Sequence, residues 1–331
     1  MADPGCYGDA MKTNWFLMPA GKLQTQSAPF DWAKPIQEDH AECWVDIDGP
    51  DPANLREFLG PLNLHPLLLD RCLDQAISPG VLVYDNSVLV EYPAAFDRET
   101  AEPAYLTILL QAPYLITIRH GPMPELDDLI AESSAEGAAE VHHLAQIIYQ
   151  ILDGFTDLNV DAQIEIRDQL LGMARTLADN PASFDARNLA HLRWQVGNLV
   201  SLAENQLYCA SSLAALDFKD LQEPHRKAYI QDLVAEAEIT QRGVYRLETR
   251  LNDLYNDYQM VGSDRVEKRL RLLTIVSAIT LPLGLIAGLL GMNVGGVPGI
   301  DNSSGFVIVL VLMVVVALGL FLYFKQKSWL D

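Results

Sequence analysis

Over the first 120 or so positions, apolar residues come in short runs: "CWVDI" (43–47), "VLVYD" (81–85), "SVLVEY" (87–92), "YLTILLQ" (105–111) and "YLITIRH" (114–120). Each run is rich in β-branched and aromatic residues and is bounded by Pro, Gly, Asp or Asn, which predicts strands. Between the first two, a stretch that begins near Pro52 and passes through "ANLREFLG" predicts a helix. From Leu126 onward the spacing changes. "VHHLAQIIYQILDGF", "VDAQIEIRDQLLGMA" and "LAHLRWQVGNLVSLAENQLYCASSLAAL" repeat apolar residues at three- and four-residue intervals, which predicts amphipathic helices. The pattern therefore divides into an α+β region over 1–124 and a helical region over 125–223.

A longer helical pattern follows. After Pro224, a favourable first-turn residue, no proline or glycine pair interrupts it before Pro282, and Gly243 and Gly262 stand alone. A continuous helix from His225 to Leu290 would extend about 99 Å at the helical rise per residue. Its first part, 224–270, is polar and acidic and must pack against neighbours to be stable. No charged residue occurs from Leu272 to Ile300, nor from Asn302 to Phe324. A bilayer core takes about 20 apolar residues in a helix, so two spans are expected, 271–292 and 306–324, joined by a loop over 293–305 and followed by a basic tail, 325–331. Arg265, Lys268, Arg269 and Arg271 precede the first span and Lys325 and Lys327 follow the second, whereas only Asp301 is charged between them. The distribution of basic residues puts both ends in the cytoplasm and the loop outside.

Two spans per chain cannot enclose an aqueous path, so transport would require several copies. On the first span, steps of four and three connect Ser263, Glu267, Leu270, Thr274, Ser277, Leu281, Gly284 and Gly288, the smallest and most polar stripe available. The opposite stripe, Ile275, Ile279, Pro282, Ile286 and Leu289, is bulky. Small residues four apart also serve plain helix packing. Asn293 follows Gly291 and Met292 at the outer end. A ring of such side-chain amides would offer neutral oxygens to an arriving hydrated cation and let it leave again. A phosphate-cradling loop is excluded, because no strand precedes these glycines and no lysine accompanies them.

Composition narrows the classes further. Acidic residues outnumber basic ones 44 to 23, for a net charge of -21, which argues against a nucleic-acid partner and for cations. Cys6, Cys43, Cys72 and Cys209 form no CxxC pair, so neither a structural zinc site nor a disulfide framework is signalled. The first residues carry no basic segment leading into an apolar one, so the region before the spans is expected in the cytoplasm. No GxSxG, HExxH or P-loop pattern supports an enzyme, and no cofactor is called for beyond a transported cation.

The segment "LTIVSAITLPLGLIAGLLGMN" (273–293), close to the C-terminus and followed by one more span and basic residues, resembles the CorA superfamily of divalent-cation transporters. Within it, "GMNVGGVPG" is similar to the zinc-transporting ZntB branch, whereas magnesium-transporting members carry an aromatic residue after the Asn and an acidic loop. The resemblance implies a homopentameric funnel in the bacterial inner membrane: an α+β cytoplasmic domain, a long stalk helix and two C-terminal membrane helices. It implies Gly291, Met292 and Asn293 at the pore entrance. Apolar constrictions would form at Leu270, Leu273 and Leu281, with Gly284 and Gly288 further out and Asp301 attracting cations in the loop. The cargo it implies is Zn²⁺, with Mg²⁺, Co²⁺ or Ni²⁺ as the alternative. Two positions depart from the family: Glu267 stands where an asparagine is common, and Gly284 where a pore-facing threonine is common. A ring of Glu267 would attract cations near the cytoplasmic exit, unless each carboxylate pairs with Arg271 one turn on.

Other metal-ligating residue types are less organised. His142 and His143, if helical, diverge by about 100° and cannot face one site, and His40 and Cys43 lack further ligands. The rows Asp153, Asp157, Asp161 and Asp253, Asp257 each line carboxylates on one helical face. Two such faces meeting across a subunit boundary would sense a cation, so Asp253 and Asp257 are candidate regulatory ligands beside the plain reading of solvated acidic surface. A membrane anchor that uses its spans only for tethering is the rival from another class.

Overall fold

The computed structural model describes residues 12–18, 23–26, 30–32, 42–74, 78–96, 103–119, 121, 123–133, 143–217, 224–292 and 305–327. The chain divides into two units, Met1–Asn252 and Asp253–Asp331. The first contains a seven-stranded sheet in the order β2-β1-β3-β7-β6-β5-β4. Its strands are β1 (Lys12–Met18), β2 (Gln24–Thr25), β3 (Glu42–Asp48), β4 (Gly80–Tyr84), β5 (Ser87–Phe96), β6 (Pro103–Gln111) and β7 (Tyr114–Arg119). All pairings are antiparallel except β3 with β7, which run parallel in the centre. The five strands expected from the apolar runs are present. β1 and β2 are additional: "KTNWFLM" lacks clean alternation, and it lies toward the edge of the sheet, where one-sided burial leaves a weak pattern.

Alternation assigns the sheet's two faces. Trp44, Leu115, Leu106, Ile108, Val88, Val90 and Tyr92 point to one side, where they pack with Ile147, Ile151 and Phe155 of α4 (Leu144–Asp179), with Cys209 and Leu213 of α5 (Ala186–Ala215) and with Leu233 and Ala237 of α6 (Pro224–Leu290). Val45, Ile47, Leu89, Ile116 and Ile118 point to the other side, against α1 (Pro52–Leu59) and α2 (Pro66–Leu73). The central strands are thus covered on both faces, which is why they read as nearly continuous apolar runs. α3 (Pro124–Ser133) follows β7, and Leu126 joins the first cluster. Local signals start these helices. Asp51 accepts from the amides of Ala53 and Asn54 with Pro52 in the first turn of α1, and Asp185 caps α5 through Arg187 and Asn188.

The charged groups inside those runs are paired, whereas the buried Thr107 hydroxyl has no hydrogen-bond partner among the described residues. Asp46, on the α4–α5 face and fully buried, receives Arg119 Nη2 at 2.6 Å and Thr117 Oγ1 at 2.8 Å, and Thr117 Oγ1 accepts from Trp44 Nε1 at 3.1 Å. Arg119 Nη1 also donates to Asp127 of α3 at 2.8 Å. Burial pushes the Asp46 carboxyl up, and Arg119 and the Thr117 hydroxyl pull it back. On the opposite face Glu91 pairs with Arg71 of α2 at 2.6 Å; burial, against the pull of the guanidinium, leaves its carboxyl raised to about 7.

Leu144–Phe155 and the segment "VDAQIEIRDQLLGMA" lie on one helix of 36 residues, α4, which passes through Gly154 without a break. His143 precedes that helix as its N-cap, so the helical-angle argument does not apply to it, and His142 and His40 lie outside the described residues.

Candidate functional site

α6 runs 67 residues through Gly243 and Pro282 to Leu290, and α7 (Gly305–Gln326) is apolar along nearly its whole length. Pro282 removes the hydrogen bond that Ala278 would otherwise accept within the helix, yet the turns on either side remain helical. The apolar end of α6 and the whole of α7 are long and apolar enough to cross a membrane, and among the described residues almost nothing buries either stretch. In α7, Phe306, Val307, Ile308, Val311, Leu312 and Val315 are all exposed. Soluble surfaces do not carry contiguous apolar area on this scale, so these faces require lipid or further protein.

Exposure separates the two stripes of α6. Ser263, Glu267, Leu270, Thr274, Leu281 and Gly288 are exposed or nearly so, Leu281 at 72%, and the stripe has no buried member. On the bulky stripe Ile275 is buried and Ile279, Pro282 and Ile286 are half-buried, while Leu289 at its outer end is exposed. The chain itself covers part of the bulky face and leaves the small, polar one open. Leu273, beside the small stripe, is also exposed. Thr274 Oγ1 donates back to Leu270 O at 2.9 Å, which satisfies the hydroxyl within its own helix and leaves its lone pairs available. Gly284 and Gly288 have nothing within 4 Å of where a Cβ would stand. Gly291 closes the helix by donating its amide to Ala287 O at 2.9 Å, and Met292 is exposed. Asn293 and Asp301 lie outside the described residues.

At the N-terminal end of this segment Glu267 Oε1 accepts from Arg271 Nη2 at 2.5 Å and from Nε at 3.2 Å. The single chain therefore takes the paired alternative for Glu267. Both groups are exposed, a setting in which such pairs are worth little and exchange readily.

The two acidic rows differ. Asp253 and Asp257 are exposed on α6. Asp153 and Asp157 of α4 instead confront Asp232 and Glu236 of α6. Its hydrogen bond with Asp153, together with burial and the repulsion of Asp153, Asp232 and Asp157, raises the Glu236 carboxyl to about 8. Asp157 is likewise raised, by burial and by Asp153 and Asp161, and Tyr149 OH donates to Asp232 Oδ2 at 3.0 Å. The four-residue spacing of Asp232 and Glu236 matches that of Asp153 and Asp157, and that shared spacing is the sequence signal for their meeting. Among the described residues no three His, Cys, Asp or Glu side chains come together in a way that could hold a metal ion.

Comparison with known proteins agrees with this architecture. The chain is 27% identical over 310 residues to the divalent cation transporter CmaX of Pseudomonas aeruginosa, covering 93% of this chain and 89% of that protein. It is 21% identical over 295 residues to the zinc transport protein ZntB of Yersinia enterocolitica, covering 87% and 88%. The solved CorA magnesium transporter of Methanocaldococcus jannaschii superposes with a TM-score of 0.81 at 18% identity, over 96% of this chain and 98% of that one, a likeness of fold. The model of the family described as CorA-like Mg²⁺ transporter protein matches residues 39–326. With most of its length matched in this way, the chain belongs to the CorA-like Mg²⁺ transporter family, whose members are transporters and not enzymes.

Proposed function

We propose that the chain assembles as a homopentamer in the bacterial inner membrane and conducts divalent cations along the small stripe of α6, with Zn²⁺ as the preferred cargo. The observation that carries this reading is the contrast within one helix. Its bulky stripe is partly covered by its own chain, while the stripe of Thr274, Ser277, Gly284 and Gly288 is left open although it is the face least suited to lipid. Copies arranged about an axis would turn that open face inward and give it water. Gly291, Met292 and Asn293 form the entrance, where the Asn293 amide meets the hydrated ion. Leu270, Leu273 and Leu281 supply the constrictions, and Asp301 raises the local cation concentration outside. Both termini are cytoplasmic, and Asp253 and Asp257 are regulatory ligands at a subunit boundary.

The preference for Zn²⁺ rests on the segment 294–299, "VGGVPG", which is similar to the ZntB branch. A Mg²⁺, Co²⁺ or Ni²⁺ channel is the second reading, favoured by the family description and by the relatives named for magnesium or for divalent cations in general. Uptake of Zn²⁺, Mg²⁺ and Co²⁺ into sealed proteoliposomes, with and without a pH gradient, separates the two. Zn²⁺ leading supports the first, Mg²⁺ leading the second, and no flux of any ion returns the chain to a membrane anchor. Asn293→Ala is expected to lower flux at least about tenfold, the loss of one favourable contact of roughly 1.4 kcal/mol at the barrier, while leaving the assembly intact. Undiminished flux would remove Asn293 from the entrance.

A further inference from the structure

Within the first unit a cleft of about 240 Å³ opens between α4 and α6, and every charged residue that lines it is an arginine: Arg167, Arg246 and Arg250. In a chain of net charge -21 this is the reverse of what the composition leads one to expect. Arg246 and Arg250 stand four apart on one face of α6, and Arg167 approaches from α4. Among the described residues neither Arg246 nor Arg250 has an ion-pair partner, whereas Arg242, one turn earlier, pairs with Glu238 at 3.2 Å. Arg167 pairs with its sequence neighbour Asp168 at 3.3 Å, with both side chains about half exposed. Two unpaired guanidinium groups and one weakly paired one therefore share a single concavity.

Gly243 fixes one wall of the cleft. A Cβ there would fall 2.1 Å from Gln163 Oε1, so the Gln163 amide of α4 occupies the space that a side chain on α6 would take. Gln163 Nε2 then donates to Thr240 O at 3.3 Å and ties the two helices together at that point. Beside the arginines the same cleft carries Val160 and Ile164, which are 38% and 44% exposed. A lining with cationic forks on one side and open apolar side chains on the other fits an anion that has an apolar body. Planar guanidinium groups bind phosphate oxygens in bidentate fashion, and three of them exceed the need of a single carboxylate or halide.

We propose that this cleft binds a nucleoside di- or triphosphate, its phosphates on Arg167, Arg246 and Arg250 and its base beside Val160 and Ile164. Divalent cations neutralise the same phosphates, so the metal-free nucleotide is the better ligand, and occupancy falls as free divalent metal rises. That consequence for regulation rests on the proposed transport function, whereas the binding itself does not.

Titration calorimetry on the full chain, purified as its detergent-solubilised assembly with a chelator present, tests this with ATP, inorganic pyrophosphate and adenosine as separate probes. Saturable binding of ATP is expected, with weaker binding of pyrophosphate and none of adenosine. In the Arg246→Gln/Arg250→Gln variant ATP binding should weaken at least about tenfold, with melting temperature and elution volume unchanged. Arg167→Lys should fall between the two, since it keeps the charge but loses the fork. No ATP binding by the unaltered chain, or equal affinity in the double variant, overturns the proposal. Equal affinity for pyrophosphate and ATP overturns its nucleoside part, and dissociation of the assembly in the double variant would assign the arginines to carboxylates of a second copy. Metal flux is not read in this titration, so its failure and that of the transport reading are separable.

Discussion

The two units solve the problem of polar and apolar groups in opposite ways. In Met1–Asn252 the chain largely meets its own needs: Trp44, Thr117, Asp46 and Arg119 form one hydrogen-bonded network inside the sheet's α4–α5 face, and the apolar alternation of the strands is covered on both sides. In Asp253–Asp331 it does not: α7 and the end of α6 expose Leu, Val, Ile and Phe along their length. The lesson is that the same residue types carry different information in each. An exposed apolar residue in the second unit is evidence about surroundings the chain does not contain, and a buried charge in the first is evidence about a partner it does contain.

The comparison can be broken most severely from inside the first unit. Arg119→Met removes one member of a buried ion pair and leaves Asp46 as an uncompensated charge, which should cost about 3–5 kcal/mol. Denaturant unfolding of the full chain in detergent, followed by tryptophan emission, should show the loss, because Trp44 sits in the network. A loss below about 1 kcal/mol would mean that water already reaches Asp46.

A sharper contrast uses equal exposure. Leu171 of α4 and Val314 of α7 are 46% and 49% exposed, so a measure of surface alone ranks them together. Lysine at 171 should change stability by about 0.5 kcal/mol or less. Lysine at 314, mid-span, should oppose membrane insertion by about 2.5–3.5 kcal/mol and reduce the membrane-extracted yield. Similar yields for the two variants would contradict the membrane assignment of α7.

The smallest expected effect lies at the seam between α4 and α6. The Glu236 carboxyl is raised from 4.5 to about 8, so the fold favours its neutral form. The stability this group lends is complete below its ordinary value and is lost as pH rises toward 8. Melting temperature should therefore decline from pH 5 to pH 8, and Glu236→Gln should flatten that decline. An unchanged slope would place the titration elsewhere.

Much of this arrangement is legible in the amino-acid order, and the parts that are not have physical reasons. The five inner and hairpin strands stand out because each apolar run ends at turn residues after five to seven positions, too short a stretch for a buried helix. The pattern of β1 is weaker. α4 runs on through Gly154, because its tertiary packing outweighs the cost of one glycine. The Asp46–Arg119 pair links positions 73 apart, and only the oddity of a charge inside "CWVDI" and "YLITIRH" hints at it. The arginine cleft is concealed for the same reason, since Arg167 and Arg250 meet only once α4 and α6 cross. At the candidate conducting face the stripe from Ser263 to Gly288 is readable because a single helix carries it, so spacing alone orders its side chains. Asn293 and Asp301 fall outside the described residues, and their roles rest on sequence.

The central claim, that the small stripe of α6 faces the conducting path and the bulky stripe does not, is tested most directly by thiol block. Ser277→Cys and Ile279→Cys place a thiol two residues apart on opposite stripes, against a background in which Cys43, Cys72 and Cys209 are buried and Cys6, outside the described residues, is replaced by serine. Divalent-cation flux into proteoliposomes would be measured before and after a membrane-impermeant cationic thiol reagent. The account predicts that flux through the Ser277→Cys protein is blocked while the Ile279→Cys protein and the unaltered chain continue to conduct. Block of Ile279→Cys with Ser277→Cys unaffected would contradict it.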